Sequence, residues 1–295
     1  MLAWLIKIYM SIIEFLGRLF IFNRNLPMGF DLTRNIKYSD SCSLDLFRPS
    51  GIDDELPVLI YIHGGGWTTG SKLTSTRQCA IIALEGFIVL NIQYRLGPRH
   101  IHPAQLEDIA MALEWLDNNK TRLKADTGRI FFGGSSAGAH LSCMAACMAT
   151  NGELRDSVGI DLPIDGNQIG GVLLVSGGYN MDTIVNSGFF MIRTMVKSYC
   201  GARNPAESPL KDQISPIRYI KQGFPPAFVT ASEYDRLFGQ TIELLQVFKE
   251  KGIEYKELLF RRNGKKAKHA FLHFYYRDCS KKAYEGIKEF LAEHS

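Results

Sequence analysis

The six cysteines form no C-x-x-C pair and stand at no zinc-ligand spacing with histidine. A zinc site is therefore not expected, and without a recognisable secretion signal free buried thiols are a better reading than disulfides. No Pro/Ser/Gly linker, low-complexity stretch or internal repeat divides the 295 residues, so one large domain is expected rather than two. Charge of one sign is also scarce. A formal net charge of +4 is too mild to argue for nucleic acid, and the aromatics do not interleave with a basic stripe. What is present is an ordinary globular composition, 46% hydrophobic and 22% charged.

The amino terminus also lacks an uninterrupted apolar run. "MLAWLIKIYMSIIEFLGRLFIF" is broken by Lys7, Ser11, Glu14 and Arg18, whose spacings of four, three and four place them on one helical face. Leu2, Leu5, Ile6, Tyr9, Ile12, Ile13, Leu16, Leu19 and Phe20 form the other. A secretory or spanning segment needs no such polar stripe, and there is no A-x-A cleavage site. Residues 1–24 are expected to form an amphipathic helix that packs on the body of the protein. Membrane-surface contact through residues 1–22 is the second reading, because the apolar face is broad and begins with Trp4. The cytoplasm is the expected compartment.

Residues 25–295 read as one domain of alternating strands and helices. "LDLFRPSG" (44–51) closes on a turn, and "LPVLIYIHGGGW" (56–67) and "GFIVLNIQYRL" (86–96) are continuous apolar runs typical of strands buried on both faces. "STRQCAIIALE" and "PAQLEDIAMALEWLDNNK" suit helices, the second with proline in its first turn. "GRIFFGGSS", "IGGVLLVSGG", "PPAFVTASEYD" and "YKELLF" are further strands, with helices at "AHLSCMAACMAT", "GQTIELLQVFKEKG" and "KKAYEGIKEFLAEHS". The pattern predicts an α/β fold, a mostly parallel central sheet flanked by helices. Working residues then gather at the carboxyl ends of the strands. The segment from Tyr179 to Gln222 is too long for a simple connection and, with the N-terminal helix, is expected to form a small cap. Phe189 is a candidate for an acyl pocket within it, and packing inside the insertion is the rival reading.

"RIFFGGSSAGAH" (129–140) sets two serines side by side. Gly134, Ser136 and Gly138 satisfy G-x-S-x-G, whereas centring on Ser135 would put Ala137 at the second glycine position. A nucleophile on a sharp strand-to-helix turn needs small neighbours, and the helix that follows aims its amino-terminal dipole at nearby negative charge. His63-Gly64-Gly65-Gly66-Trp67 follows a buried strand directly. Its side-chain-free backbone suits an oxyanion hole, with Gly65 and Gly66 as donors joined by the N–H of Ala137. Trp67 is a substrate-contact candidate, and His63 reads as a brace for the loop.

A serine hydroxyl needs a histidine to take its proton and a carboxylate to fix that histidine's tautomer, in chain order Ser, acid, His. His269 stands in the loop "NGKKAKHAF" ahead of the last helix, with His273 as its competitor. Asp235 ends "FVTASEYD" at the carboxyl end of a strand, with Glu233 as the near rival and Asp212 a distant one. The ordinary reading of such an Asp is a helix cap.

Together "HGGGW", "NIQYRLGPRHIHPAQLEDIAMALEWL", "GGSSAGAHL", "FPPAFVTASEYDRL" and "KHAF" resemble the α/β-hydrolase superfamily. The likeness is to its esterase branch, which includes the hormone-sensitive-lipase-like carboxylesterases and the bacterial acetyl and feruloyl esterases. It runs from about Leu44 to the C-terminus. Ser135 and Ala139 depart from that branch's usual G-D-S-A-G-G, and "HAF" replaces its usual H-G-[FL]. The resemblance implies a serine carboxylic-ester hydrolase acting on small, short-acyl (acetyl-type) esters through an acyl-enzyme, with no metal or cofactor. An arylformamidase or amidase on the same residues, a membrane-docked lipase and a catalytically dead binding protein remain the alternatives. The basic run "RRNGKKAK" (261–268) reads as a solvated loop, or as a selector of anionic substrates at the mouth of the site.

Overall fold

The computed structural model describes residues 8, 12, 15–17, 22, 23, 25–202, 204, 207–262 and 267–295. The apolar runs become strands because chain atoms on both faces must be buried. Every residue of β3 (Leu56–Ile62), β4 (Ile88–Ile92) and β7 (Ala227–Ser232) is buried. Together with β1 (Phe30–Lys37), β2 (Ser43–Pro49), β5 (Ala125–Ser135), β6 (Ile169–Val175) and β8 (Tyr255–Phe260) they form one eight-stranded sheet in the order β1-β2-β4-β3-β5-β6-β7-β8. β1 and β2 pair antiparallel, β2 is antiparallel to β4, and the remaining pairs are parallel. The expected α/β-hydrolase architecture is the one observed.

Alternate residues of each central strand serve two cores. Val58, Ile60 and Ile62 face helices α2 (Ala104–Leu123), α3 (Ala137–Thr150) and α7 (Phe238–Lys251), meeting Leu106, Ile109, Leu141, Met144 and Leu244. Leu59, Tyr61 and Val89 face α1 (Thr76–Ala83) and α8 (Asp278–His294), meeting Cys79, Ala83, Ala283 and Ile287. Each such aliphatic side chain contributes about 1.5–3 kcal/mol by leaving water. All six cysteines are free and buried, as expected from their spacing.

Two elements escape a pattern reading. β1, "FDLTRNIK", is an edge strand with mostly exposed side chains and a register shift between Thr33 and Ile36, so no continuous apolar signal marks it. α4 (Gly152–Val158) is one short turn-and-a-half capped by Asn151, whose side chain accepts from the Glu153 N–H. The insertion after β6 holds α5 (Met181–Ile184) and α6 (Ile192–Cys200). The amphipathic helix expected over residues 1–24 lies for the most part outside the described residues. Of its expected apolar face, Ile12 and Leu16 are helical and exposed, as are Ile8 and Phe15 near them in the sequence.

Candidate active site

The two adjacent serines part company at the end of β5. Ser135 is its last residue and sits against the buried Tyr61 hydroxyl. Ser136 follows at φ 56°, ψ −118°, a conformation L-residues rarely adopt, and α3 starts at the next residue. Such strain costs on the order of 1–3 kcal/mol and persists only where the surroundings impose it. Here they do: Ser136 N–H donates to the Val175 carbonyl at 2.8 Å, and its own carbonyl accepts from His140 N–H at 3.1 Å. A Cβ at Gly138 would run into the Ile62 carbonyl at the end of β3, so α3 approaches the sheet this closely only with glycine there.

Asp235 and His269 come together across 34 residues. His269 Nδ1–H donates to Asp235 Oδ2 at 2.7 Å, and the other oxygen, Oδ1, accepts from Leu237 N–H at 2.9 Å. The carboxylate side chain has no solvent exposure. Asp235 therefore does not cap the following helix; one oxygen closes a local turn on Leu237 while the second orients the imidazole. The rivals are engaged elsewhere. Glu233 binds Arg261 Nη1 at 2.9 Å and the Arg262 N–H at 2.8 Å, and Asp212 pairs with Arg218.

The glycine loop packs against the Ser136 turn. Gly65 (φ 126°) leaves no room for a Cβ, which would meet the Thr69 carbonyl, and that carbonyl's chain is held by Thr68 and Thr69 N–H bonds back to Gly65 O. Among the described residues, the N–H groups of Gly65, Gly66 and Ala137 have no backbone acceptor. His63 is fully buried beneath them. Its Nδ1–H donates to Gly64 O at 2.7 Å, Nε2 accepts from the Gln93 amide at 3.1 Å, and the ring stacks on Tyr94. Burial lowers its pKa to about 4, which fits the bracing role.

Trp67 does not belong at the substrate. It is 2% exposed, donates from Nε1 to His140 Nδ1 at 3.1 Å and stacks on Tyr199 of α6 at 4.8 Å. The backbone at Trp67 has positive φ (60°), which turns the indole into the core and away from the cavity. The correction has a plain cause. A tryptophan beside a glycine loop shows no local sign of its distant aromatic and histidine partners.

A cavity of about 200 Å³ opens over the turn, lined by Gly65, Gly66, Ser136 and His269. Phe189 lines it too, edge-on to His269 with ring centres 4.6 Å apart. Phe22 and Met195 complete its apolar walls, and no local pattern pointed to either. Both come from the two segments expected to form a cap. Burial holds three further histidines neutral: His102 and His140 sit at about 4 and about 3 with both ring nitrogens bonded, and His273 at about 4. His273 lies in a short 3-10 turn, Phe271–His273, not within the last helix. Of the basic run, Arg261 and Arg262 turn to Glu233, and residues 263–266 lie outside the described residues. Among the described residues no helix is long and apolar enough to cross a membrane.

Comparison with known proteins agrees with this architecture. The BD-FAE family profile matches residues 44–244, a stretch that contains the glycine loop, Ser136 and Asp235 and ends before His269. The chain is 29% identical over 202 residues to Carboxylesterase NlhH of Mycobacterium tuberculosis, covering 65% of this chain and 60% of that one. It is 39% identical over 105 residues to Carboxylic ester hydrolase LipN of the same organism, covering 35% of this chain and 28% of the relative. The chain thus spans less than two thirds of the length of these curated relatives. In solved structures, esterase B from Lactobacillus rhamnosis superposes with a TM-score of 0.86 at 22% identity, over 98% of this chain and 93% of that one. The esterase from Pyrobaculum calidifontis gives 0.74 at 25% identity, over 97% and 88%. With a family match over most of its length, laid on this sheet and this strand-to-helix turn, the chain belongs to the BD-FAE family and has the α/β-hydrolase fold.

Proposed function

We propose that the protein hydrolyses small carboxylic esters with short acyl groups through an acyl-enzyme on Ser136. The observation that carries this reading is His269, held from behind by the buried Asp235 carboxylate, lining the same cavity as the strained Ser136. His269 Nε2 takes the Ser136 proton as Oγ forms a bond to the ester carbonyl carbon. The oxyanion is held by the N–H groups of Gly65, Gly66 and Ala137, each donor worth about 2.7–4 kcal/mol of transition-state stabilisation. As the C–O bond to the alcohol breaks, His269 returns the proton to the leaving oxygen. Water then repeats the cycle: His269 removes its proton, hydroxide adds to the acyl carbon, and the bond to Ser136 Oγ breaks with reprotonation of the serine. Asp235 keeps His269 in the Nδ1–H tautomer and offsets the charge on the imidazolium.

The size of the cavity supports small substrates, with Phe189 and Met195 walling the acyl and alcohol space. Relatives named as carboxylesterase and carboxylic ester hydrolase support ester over amide chemistry. Cytoplasmic residence is part of the proposal, favoured by six unpaired cysteines. The test is p-nitrophenyl acetate hydrolysis by two neighbouring variants. Ser136→Ala is expected to lose on the order of 10⁴-fold or more in kcat, and Ser135→Ala to keep much of the activity. The reverse pattern would overturn the assignment.

A further inference from the structure

The cavity lining includes polar residues that the hydrolytic scheme does not use. Ser75 is the residue before α1, the position where a serine normally caps a helix, yet it makes no capping bond. It is 3% exposed and is one of the residues that line the cavity. His273, four residues beyond His269, lines the same cavity. Its ring is fixed from two sides. Phe22 packs on it with ring centres 4.3 Å apart, and the Gln78 amide donates to Nδ1 at 3.0 Å. That bond leaves the N–H at Nε2 as the polar atom of the ring still to be matched.

Gln78 gives the arrangement its weight. It is buried, at 3% exposure, and its carbonyl oxygen has no partner among the described residues. An orphaned buried carbonyl costs about 1–3 kcal/mol, a cost with no return in packing alone. Among the described residues its side-chain amide makes one polar contact, with His273, and that contact helps to fix the ring. Burial and the neighbouring His269 keep His273 uncharged, its pKa lowered to about 4. Among the described residues lining the cavity, none is Asp, Glu, Lys or Arg. The site therefore suits a neutral hydrogen-bonding group and offers nothing to offset a charge.

We propose that Ser75 and His273 form a polar subsite that takes a hydroxyl group carried by the ester substrate. This rests on the hydrolase reading of Ser136 and narrows it to hydroxylated short-chain esters. A hydroxyl accepts from His273 Nε2–H and exchanges a second bond with Ser75 Oγ, whereas a plain alkyl ester leaves both unpaired. A site built to bond a hydroxyl disfavours the analogue lacking it for that reason. The group can be carried by the acyl or by the alcohol half, and two substrate pairs separate these sources. The first is p-nitrophenyl butyrate against p-nitrophenyl β-hydroxybutyrate. The second is ethyl acetate against ethylene glycol monoacetate, followed by pH-stat.

In the wild-type protein the hydroxylated member of one pair is expected to have a kcat/KM about tenfold higher, corresponding to one net hydrogen bond. The pair that shows it identifies the half of the substrate that enters the subsite. In His273→Phe, which keeps a ring against Phe22, and separately in Ser75→Ala, that ratio is expected to collapse toward one. Should His273→Phe fail to fold in a thermal melt, Ser75→Ala alone decides. A wild-type ratio near one in both pairs, or a ratio that survives Ser75→Ala, overturns the subsite. Labelling of Ser136 by a fluorophosphonate probe, run alongside, tells the two readings apart. Labelling with a ratio of one refutes the subsite only, and absence of labelling in the wild type refutes the hydrolase.

Discussion

His63 and His269 stand in loops at the carboxyl ends of strands, and each donates Nδ1–H to an oxygen at 2.7 Å. The bonds match in length and differ in everything else. His63 meets a neutral backbone carbonyl, lies under a stacked tyrosine and has its second nitrogen taken by Gln93. His269 meets a carboxylate, and its second nitrogen has no protein partner among the described residues while its ring lines the cavity. On the proposed mechanism His269 serves as the base because the oxygen behind it is a carboxylate's and its ring lines the cavity. With a neutral partner and both nitrogens occupied, the same ring is a brace.

The largest test makes the two histidines alike. Asp235→Asn puts a neutral amide behind His269, as a neutral carbonyl stands behind His63. The expected outcome is a fall in kcat on the order of 10⁴-fold on p-nitrophenyl acetate, since both the tautomer and the charge compensation are lost. A loss under tenfold would break the distinction. Next is the brace itself. His63→Leu strands the Gly64 carbonyl and the Gln93 amide in the interior, so unfolding free energy in urea should drop by about 2–4 kcal/mol. Its rate loss should be smaller than that of Asp235→Asn, on the order of 10²-fold, because displaced glycine-loop donors and not the proton carrier are affected.

The smallest effect is a matter of pH. Burial lowers the folded-state pKa of His63, His102 and His273 to about 4 and of His140 to about 3, against 6.5 in the unfolded chain. Below pH 6.5 the unfolded chain therefore binds protons that the folded chain refuses. Stability is full above that pH and falls as pH drops toward 4, by up to about 1.4 kcal/mol per unit for each such histidine. Urea midpoints taken at pH 7.5 and 5 check the sign, and His63→Leu should show the shallower slope. An unchanged slope would mean that His63 titrates freely in the fold.

Much of the frame can be read from local pattern. β3 and β4 announce themselves as continuous apolar runs, and the glycines around Ser136 are required by contacts within the turn and with the neighbouring strand end. The order Ser136, Asp235, His269 is a property of the chain alone. β1 was not legible because an exposed edge strand needs no apolar run. Trp67 misled because its partners, His140 and Tyr199, are 73 and 132 positions away in the sequence, and no nearby residue shows that the indole is buried. Met195 and Phe22 were invisible as cavity walls for the same reason.

The sequence by itself determined the alternation of strands and helices that carries the motifs and which of two serines could occupy the turn, since both follow from local pattern and short-range sterics. The tertiary structure alone decided which histidine is left open, which aromatics wall the cavity and that Ser75 and His273 line it together. Burial and hydrogen-bond partnership are set by residues far apart in the chain, and only the packed molecule brings them within reach.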